Sequence, residues 1–324
     1  MTRLQTLGAA LAIVAGAIFP LVVDVNYFIH LTIIALIWVV VTQGTNVMQG
    51  YTGYVTIAQG GFMGVGAYVS AILSVRYGWP VWASMAVAPV VTAALALIAG
   101  YPSLRVKGHY FAIVTLAYNM VVFIVLLNWI SLTGGEAGIT RIPRPEPIPT
   151  PWGDAIDFET RRGFYYVVYA MTLVSSCAAY LLTHSRVGRV LISIRQNEAL
   201  AESLGISCWR YKLFAFVASA TFAGVAGALY AHYVGFINPT PFGVDASLNS
   251  ILALIVGGSG TLVGPFLGAA IVGFLPEYLR VAETYRLIAY GLFLVLATIF
   301  MPRGLAVVVE ALRVRFSAKR TPAG

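Results

Sequence analysis

The stretch that decides the fold runs from Val25 to Val75: VNYFIHLTIIALIWVVVTQGTNVMQGYTGYVTIAQGGFMGVGAYVSAILSV. It contains no Asp, Glu, Lys or Arg, and its nearest flanking charges are Asp24 and Arg76. A helix crosses a bilayer with about 20 apolar residues, so this interval has room for two crossings. Further charge-free intervals separate Gly78 from Leu104, Gly108 from Gly135, Gly163 from Ser185 and Leu213 from Val244. Over all 324 residues, 59% are apolar and 10% charged, whereas soluble domains carry about 25% charged residues. Too few charges remain to clothe a water-exposed surface. The apolar runs are continuous rather than alternating, which excludes a transmembrane barrel. The 32 glycines follow no three-residue period, which excludes collagen. The reading is an all-α polytopic membrane protein.

Ten apolar segments are expected to span: Leu7–Val23, Tyr27–Met48, Tyr54–Val75, Val81–Ala99, His109–Ile130, Gly163–Leu182, Leu213–Val234, Ala246–Gly257, Leu262–Leu279 and Tyr285–Met301. The first has no signal-peptidase pattern followed by a polar domain, so it reads as a retained span. The eighth is short and the third begins glycine-rich. If both are broken or re-entrant, the count falls to eight.

Ten spans with both ends on one side place Arg3, Arg105, Lys107, Arg186, Arg189, Arg195, Arg210, Lys212 and the five basic residues from Arg303 onward together. These thirteen positive charges face only Glu198, Glu202 and Glu310 on that side. Positive loops stay inside, so both termini are expected in the cytoplasm. The net charge of +8 then reports orientation rather than nucleic-acid binding.

Two long loops stand out. The outer one, 131–162, has a proline at every second position from Pro143 to Pro151, which blocks helix and favours an extended chain. It either meets an external partner or connects two spans. The cytoplasmic one, 184–212, repeats Val190, Leu191, Ile194, Ala201 and Leu204 at helical spacing. A left-handed cap is expected at Gly205. A short amphipathic helix of this kind lies on lipid or docks on a protein, and the lack of an aromatic on its stripe favours docking.

Five spans entering from inside and five from outside make two inverted halves. The third element of each half is glycine-rich, at Gly50 and again at Gly257. Interrupted segments at matching positions point to a transport path, although glycines also permit close helix packing. Candidate pathway residues are Gly53, Thr56, Gln59, Gly60, Thr115, Asn119, Asn249, Gly257 and Gly258. The polar ones either bond a passing solute or bond neighbouring backbone.

No phosphate-binding loop, HExxH or CxxC occurs, and Cys177 and Cys208 form no disulfide framework. No catalytic residue, cofactor or metal is expected. The span interiors hold no ionisable group of the kind that marks a coupled-ion path. Transport energy must then come from a separate motor, and the amphipathic cytoplasmic helix is where one could push. The other reading is an autonomous channel or facilitator for a small neutral solute such as urea.

Five blocks, in order, carry a resemblance over nearly the whole chain: GYTGYVTIAQGGFMGVGAY from Gly50, GHYFAIVTLA from Gly108 and TGGEAGI from Thr133, then SRVGRVLISIRQNEALAESLGI from Ser185 with YKLFAFVASATFAGVAGALYA from Tyr211, and VGGSGTLVGPFLGAA from Val256. The chain resembles the LivM-type permeases of branched-chain amino-acid ABC importers. It departs at Thr56–Gln59, where members commonly read Ser-Leu-Gly-His, and at Glu198–Ala201, where a strict EAA triplet is missing. The resemblance implies a type II-like importer permease of the bacterial inner membrane, alternating access and no enzymatic activity of its own. Implied partners are a homologous second permease, two ABC ATPases and a periplasmic substrate-binding protein, besides membrane lipid and without nucleic acid. ATPase coupling would fall on Arg189, Arg195, Glu198, Ala201, Glu202 and Gly205. The blocks are shared by sister permeases for urea, other amino acids or small carboxylates.

Overall fold

The computed structural model describes residues 3–278, except 24, 107, 150–154 and 157, together with 291, 295, 304 and 305. All of the expected tenth span, Tyr285–Met301, except 291 and 295 lies outside the described residues, as do the basic C-terminal residues and Lys107.

Apolar runs with nothing to interrupt them form helices, because a backbone in hydrocarbon must satisfy its own hydrogen bonds. The order is α1 (Arg3–Val22), α2 (Asn26–Thr45), α3 (Gln59–Arg76), α4 (Val81–Ser103), α5 (His109–Asn128), the single turn α6 (Ile130–Thr133), α7 (Arg161–His184), α8 (Arg186–Gln196), α9 (Glu198–Ser203), α10 (Cys208–Val234), α11 (Val244–Gly257) and α12 (Gly264–Tyr278). Among the described residues, five stretches are long and apolar enough to cross a membrane: Asn26–Gly50, Val81–Ser103, His109–Asn128, Arg161–His184 and Cys208–Val234. Four short strands among them pair in antiparallel ribbons, β1 (Ile139–Thr140) with β4 (Phe236–Ile237) and β2 (Ile148–Pro149) with β3 (Ala155–Ile156).

Helix directions can be read from paired contacts. His30 meets Tyr233 at the start of α2, and Gly44 meets Ser219 farther along. Fourteen residues forward on α2 therefore match fourteen back on α10, so the two run antiparallel. α4 is also antiparallel to α10, from Ser84 at His232 to Gly100 at Phe216. α3 runs parallel to α10, from Gln59 at Ser219 through Gly66 at Gly224 to Ser70 at His232. α1 lies antiparallel to α7, whose Tyr165 and Tyr169 hydroxyls donate to the Gly16 and Ile13 carbonyls. Alternating crossings of this kind are what a serpentine membrane chain produces.

The two halves repeat one packing scheme among the described residues. α3 packs on α4 as α11 packs on α12, and α2 packs on α12 as α4 packs on α10. Small residues allow this closeness: a Cβ on Gly66 or Gly227 would run into the backbone of Gly224 or Met63, the small-residue contact by which membrane helices pack.

The chain is interrupted ahead of the third expected span, but not where its glycines are densest: Gly60, Gly61, Gly64 and Gly66 all lie within α3. α2 ends in a wider π turn at Asn46–Gly50, and residues 53–58 form an irregular strap before α3 begins at Gln59. α11 has 14 residues and follows a run over 238–243, with a 3-10 turn at Thr240–Phe242, that dips inward, Phe242 packing on Tyr68 and Tyr230. The proline-rich loop lies down on the bundle instead of standing free. His232 Nδ1 bonds the Pro143 carbonyl, and Trp82 Nε1 donates to the Glu146 carbonyl.

Candidate functional site

Two polar constellations emerge. One is buried where α2, α3, α5, α10 and α11 converge. Gln59 Nε2 donates to Ser219 Oγ, which donates in turn to the Gly44 carbonyl at 2.6 Å. On the neighbouring side, the Gly60 amide and Asn119 Nδ2 both donate to Ser247 Oγ, at 2.8 and 3.2 Å. The Ile57 amide donates to Thr115 Oγ1 at 3.0 Å, and the Thr56 hydroxyl accepts from the Ala58 amide. The helical N-termini of α3 and α11 thus meet through Ser247. Gln59 Oε1 and Asn119 Oδ1 are buried without a hydrogen-bond partner among the described residues. Buried acceptors are ordinarily paired, so this volume carries more polarity than packing requires.

Of the expected pathway residues, Thr56, Gln59, Gly60, Thr115 and Asn119 come together here. Gly257 and Gly258 do not: they are buried against Gly264 and Gly304, at the far end of α11. Gly53 lies on the strap beside Arg195, and Asn249 is half-buried on α11. Ser219 and Ser247 were missed. Each is one serine among small or apolar neighbours, and only the pairing of distant helices distinguishes them.

The second constellation joins the loop helices to the bundle. The expected single helix is two, broken at Asn197, where an extended backbone (φ −160°, ψ 102°) lets Oδ1 cap the Leu200 amide at 3.0 Å. Gly205 follows α9 at φ +82°, in the left-handed region. The apolar stripe faces inward: Leu191, Ile194 and Ala201 are buried, Ile194 and Ala201 together with Cys208. It packs against the ends of α7 and α10 instead of standing ready for a partner. Leu204 is the exception at 74% exposed, with Leu200 at 57% and Ile192 also outward. Arg189 and Glu202 are exposed on the same pair of helices.

Arg195 and Glu198 turn toward the bundle. Arg195 Nη1 donates to the Gly50 carbonyl, and its side chain lies beside Gly53 and Gly260. Glu198 Oε1 pairs with Lys212 Nζ at 2.6 Å, and Oε2 accepts from the Tyr54 hydroxyl at 2.6 Å. Lys212 is only 2% exposed and also contacts Tyr54, donating to its hydroxyl at 3.1 Å and lying over its ring. Between the two glycine segments, Asn46 accepts from the Gly260 amide and donates to the Thr261 carbonyl, both at 2.8 Å.

A helical bundle with five stretches long and apolar enough to cross a membrane among the described residues defines a polytopic membrane protein. Its residues 27–300 match the model of the "Branched-chain amino acid transport system / permease component" family, and the chain belongs to that family. It is 32% identical to the high-affinity branched-chain amino acid transport system permease protein LivM of Salmonella typhimurium, over 86% of this chain and 69% of the relative. The Escherichia coli LivM protein matches at the same identity and coverage. Escherichia coli LivH is 26% identical over 83% of this chain and 90% of its own length. No solved structure matches.

Proposed function

We propose that the chain is the membrane-spanning permease subunit of an ATP-driven importer for branched-chain amino acids. The match of residues 27–300 to the permease family carries this reading. The relatives' names supply the substrate class, and the absence of a phosphate-binding loop in the sequence sends hydrolysis to separate ABC ATPases. Because both LivM and LivH relatives match, the partner permease is a homologue, and substrate arrives from a periplasmic binding protein. Both termini and α8–α9 face the cytoplasm of a bacterial inner membrane.

The outward surface formed by Ile192, Leu200 and Leu204, beside Arg189 and Glu202, docks the ATPase. The buried cluster around Gln59, Asn119 and Ser247 lies beside the path of the substrate, and alternating access opens it to one side at a time. Co-expression with the neighbouring ATPase, second-permease and binding-protein genes tests this. The complete set restores leucine uptake to a transport-deficient strain, and omission of any one abolishes it. Equal uptake by this chain alone would replace the importer reading with a facilitator.

A further inference from the structure

Glu198 and Arg195 occupy the loop that meets the ATPase under the reading above, yet both side chains reach back to the bundle, Glu198 half-buried and Arg195 exposed along its length. Glu198 grips Lys212 and Tyr54 through separate oxygens, each at 2.6 Å. Arg195 donates to the Gly50 carbonyl and lies against Gly53 and Gly260. Both grips therefore flank one element, the irregular strap at 53–58. Six residues span at most about 20 Å even when fully extended, so the strap is a short link. Its outer end is held by Tyr54. Its inner end carries Ile57, bonded to Thr115, and runs directly into Gln59 and Gly60 of the buried cluster.

We infer that Arg195 and Glu198 are positioning residues, not ATPase contacts: they fasten α8 and α9 to the strap, so that a tilt of these helices displaces the N-terminus of α3 and the polar cluster around Gln59 and Ser247. Three features of the geometry support this. An ion pair with one partner 2% exposed holds its geometry, because separating buried charges leaves one unpaired. Gly53 has φ +79°, a conformation that gives the strap a sharp, defined exit from α2. Arg195 also touches the Gly260 turn, so the same arm reaches the glycine segments of both halves. The inference rests on the proposed importer function.

The test uses the assembled complex and follows three readouts: ATPase co-purification, ATP hydrolysis and leucine uptake. Tyr54→Phe and Arg195→Gln are expected to assemble like the wild type and hydrolyse ATP within about twofold of its rate, while uptake per ATP falls at least tenfold. Leu204→Asp, on the outward surface, is expected to do the reverse and lose the ATPase itself. Glu198→Lys should also lose uptake, with partial recovery in the Glu198→Lys/Lys212→Glu double variant. Normal uptake per ATP in both Tyr54→Phe and Arg195→Gln would overturn the inference, as would loss of ATPase binding in parallel with uptake. If instead the wild-type complex shows no ATP-dependent uptake, the importer reading fails and not the strap.

Discussion

Replacing Gly44 by alanine probes the closest approach of α2 and α10. An added Cβ would lie 2.6 Å from the Ser219 carbonyl oxygen and 2.9 Å from Phe222 Cβ. Neither atom can swing away, since one is backbone and the other is fixed to it. Ordinary contact needs roughly 3.3 Å, so α2 and α10 must part by about 0.7 Å, a strain of the overpacking kind that costs about 1–3 kcal/mol. The same movement lengthens the 2.6 Å bond from Ser219 Oγ to the Gly44 carbonyl, forfeiting up to about 1 kcal/mol. Alanine's better helix propensity returns about 1 kcal/mol. The net expectation is a loss of up to about 3 kcal/mol, read as a lowered unfolding free energy of the purified protein in detergent. A raised value would refute the close antiparallel contact of α2 with α10.

Ser219→Ala strands Gln59 Nε2 and should destabilise by about 1–3 kcal/mol, measured by the same unfolding assay; Ser219→Thr should retain most of the stability. Asn197→Ala removes the cap on Leu200 and should cost about 1 kcal/mol locally, seen as faster amide exchange at 198–203 with the rest of the bundle unaffected. A cysteine at Gln196 should resist an impermeant reagent in intact cells and react after permeabilisation. Reaction in intact cells would place α8 outside.

Much of this architecture was legible because its signals are dense. The empty charge interval from Val25 to Val75 announces spans without any pairing information, whereas the glycines after Gly50 mislead about the break, since Gly60, Gly61, Gly64 and Gly66 sit inside α3 and the interruption falls at 53–58. The left-handed Gly205 was likewise readable from a glycine following the last apolar position. The facing of α8–α9 was not readable. Periodicity groups Leu191, Ile194 and Ala201 on one stripe, but one sequence does not say whether that stripe meets a partner or its own bundle. The break at Asn197 escaped for a similar reason, since an asparagine can cap a second helix as easily as sit within one. Glu198 illustrates the cost of that ambiguity. As a charge in a basic loop it reads as a docking rim, whereas its partners Tyr54 and Lys212 lie 144 and 14 residues away. The buried cluster was half legible: Gln59 and Asn119 are conspicuous in apolar runs, and Ser219 and Ser247 are not.

The central claim is that this chain provides a membrane path but no motor. Proteoliposomes containing the purified chain with the proposed second permease, ATPases and binding protein measure it most directly, with leucine accumulation followed with and without ATP, beside vesicles containing the chain alone. The account predicts accumulation against a gradient only in the complete, ATP-supplied vesicles, and none through the isolated chain. Equilibrating leucine flux through the chain alone, unchanged by ATP or by the other subunits, would contradict it.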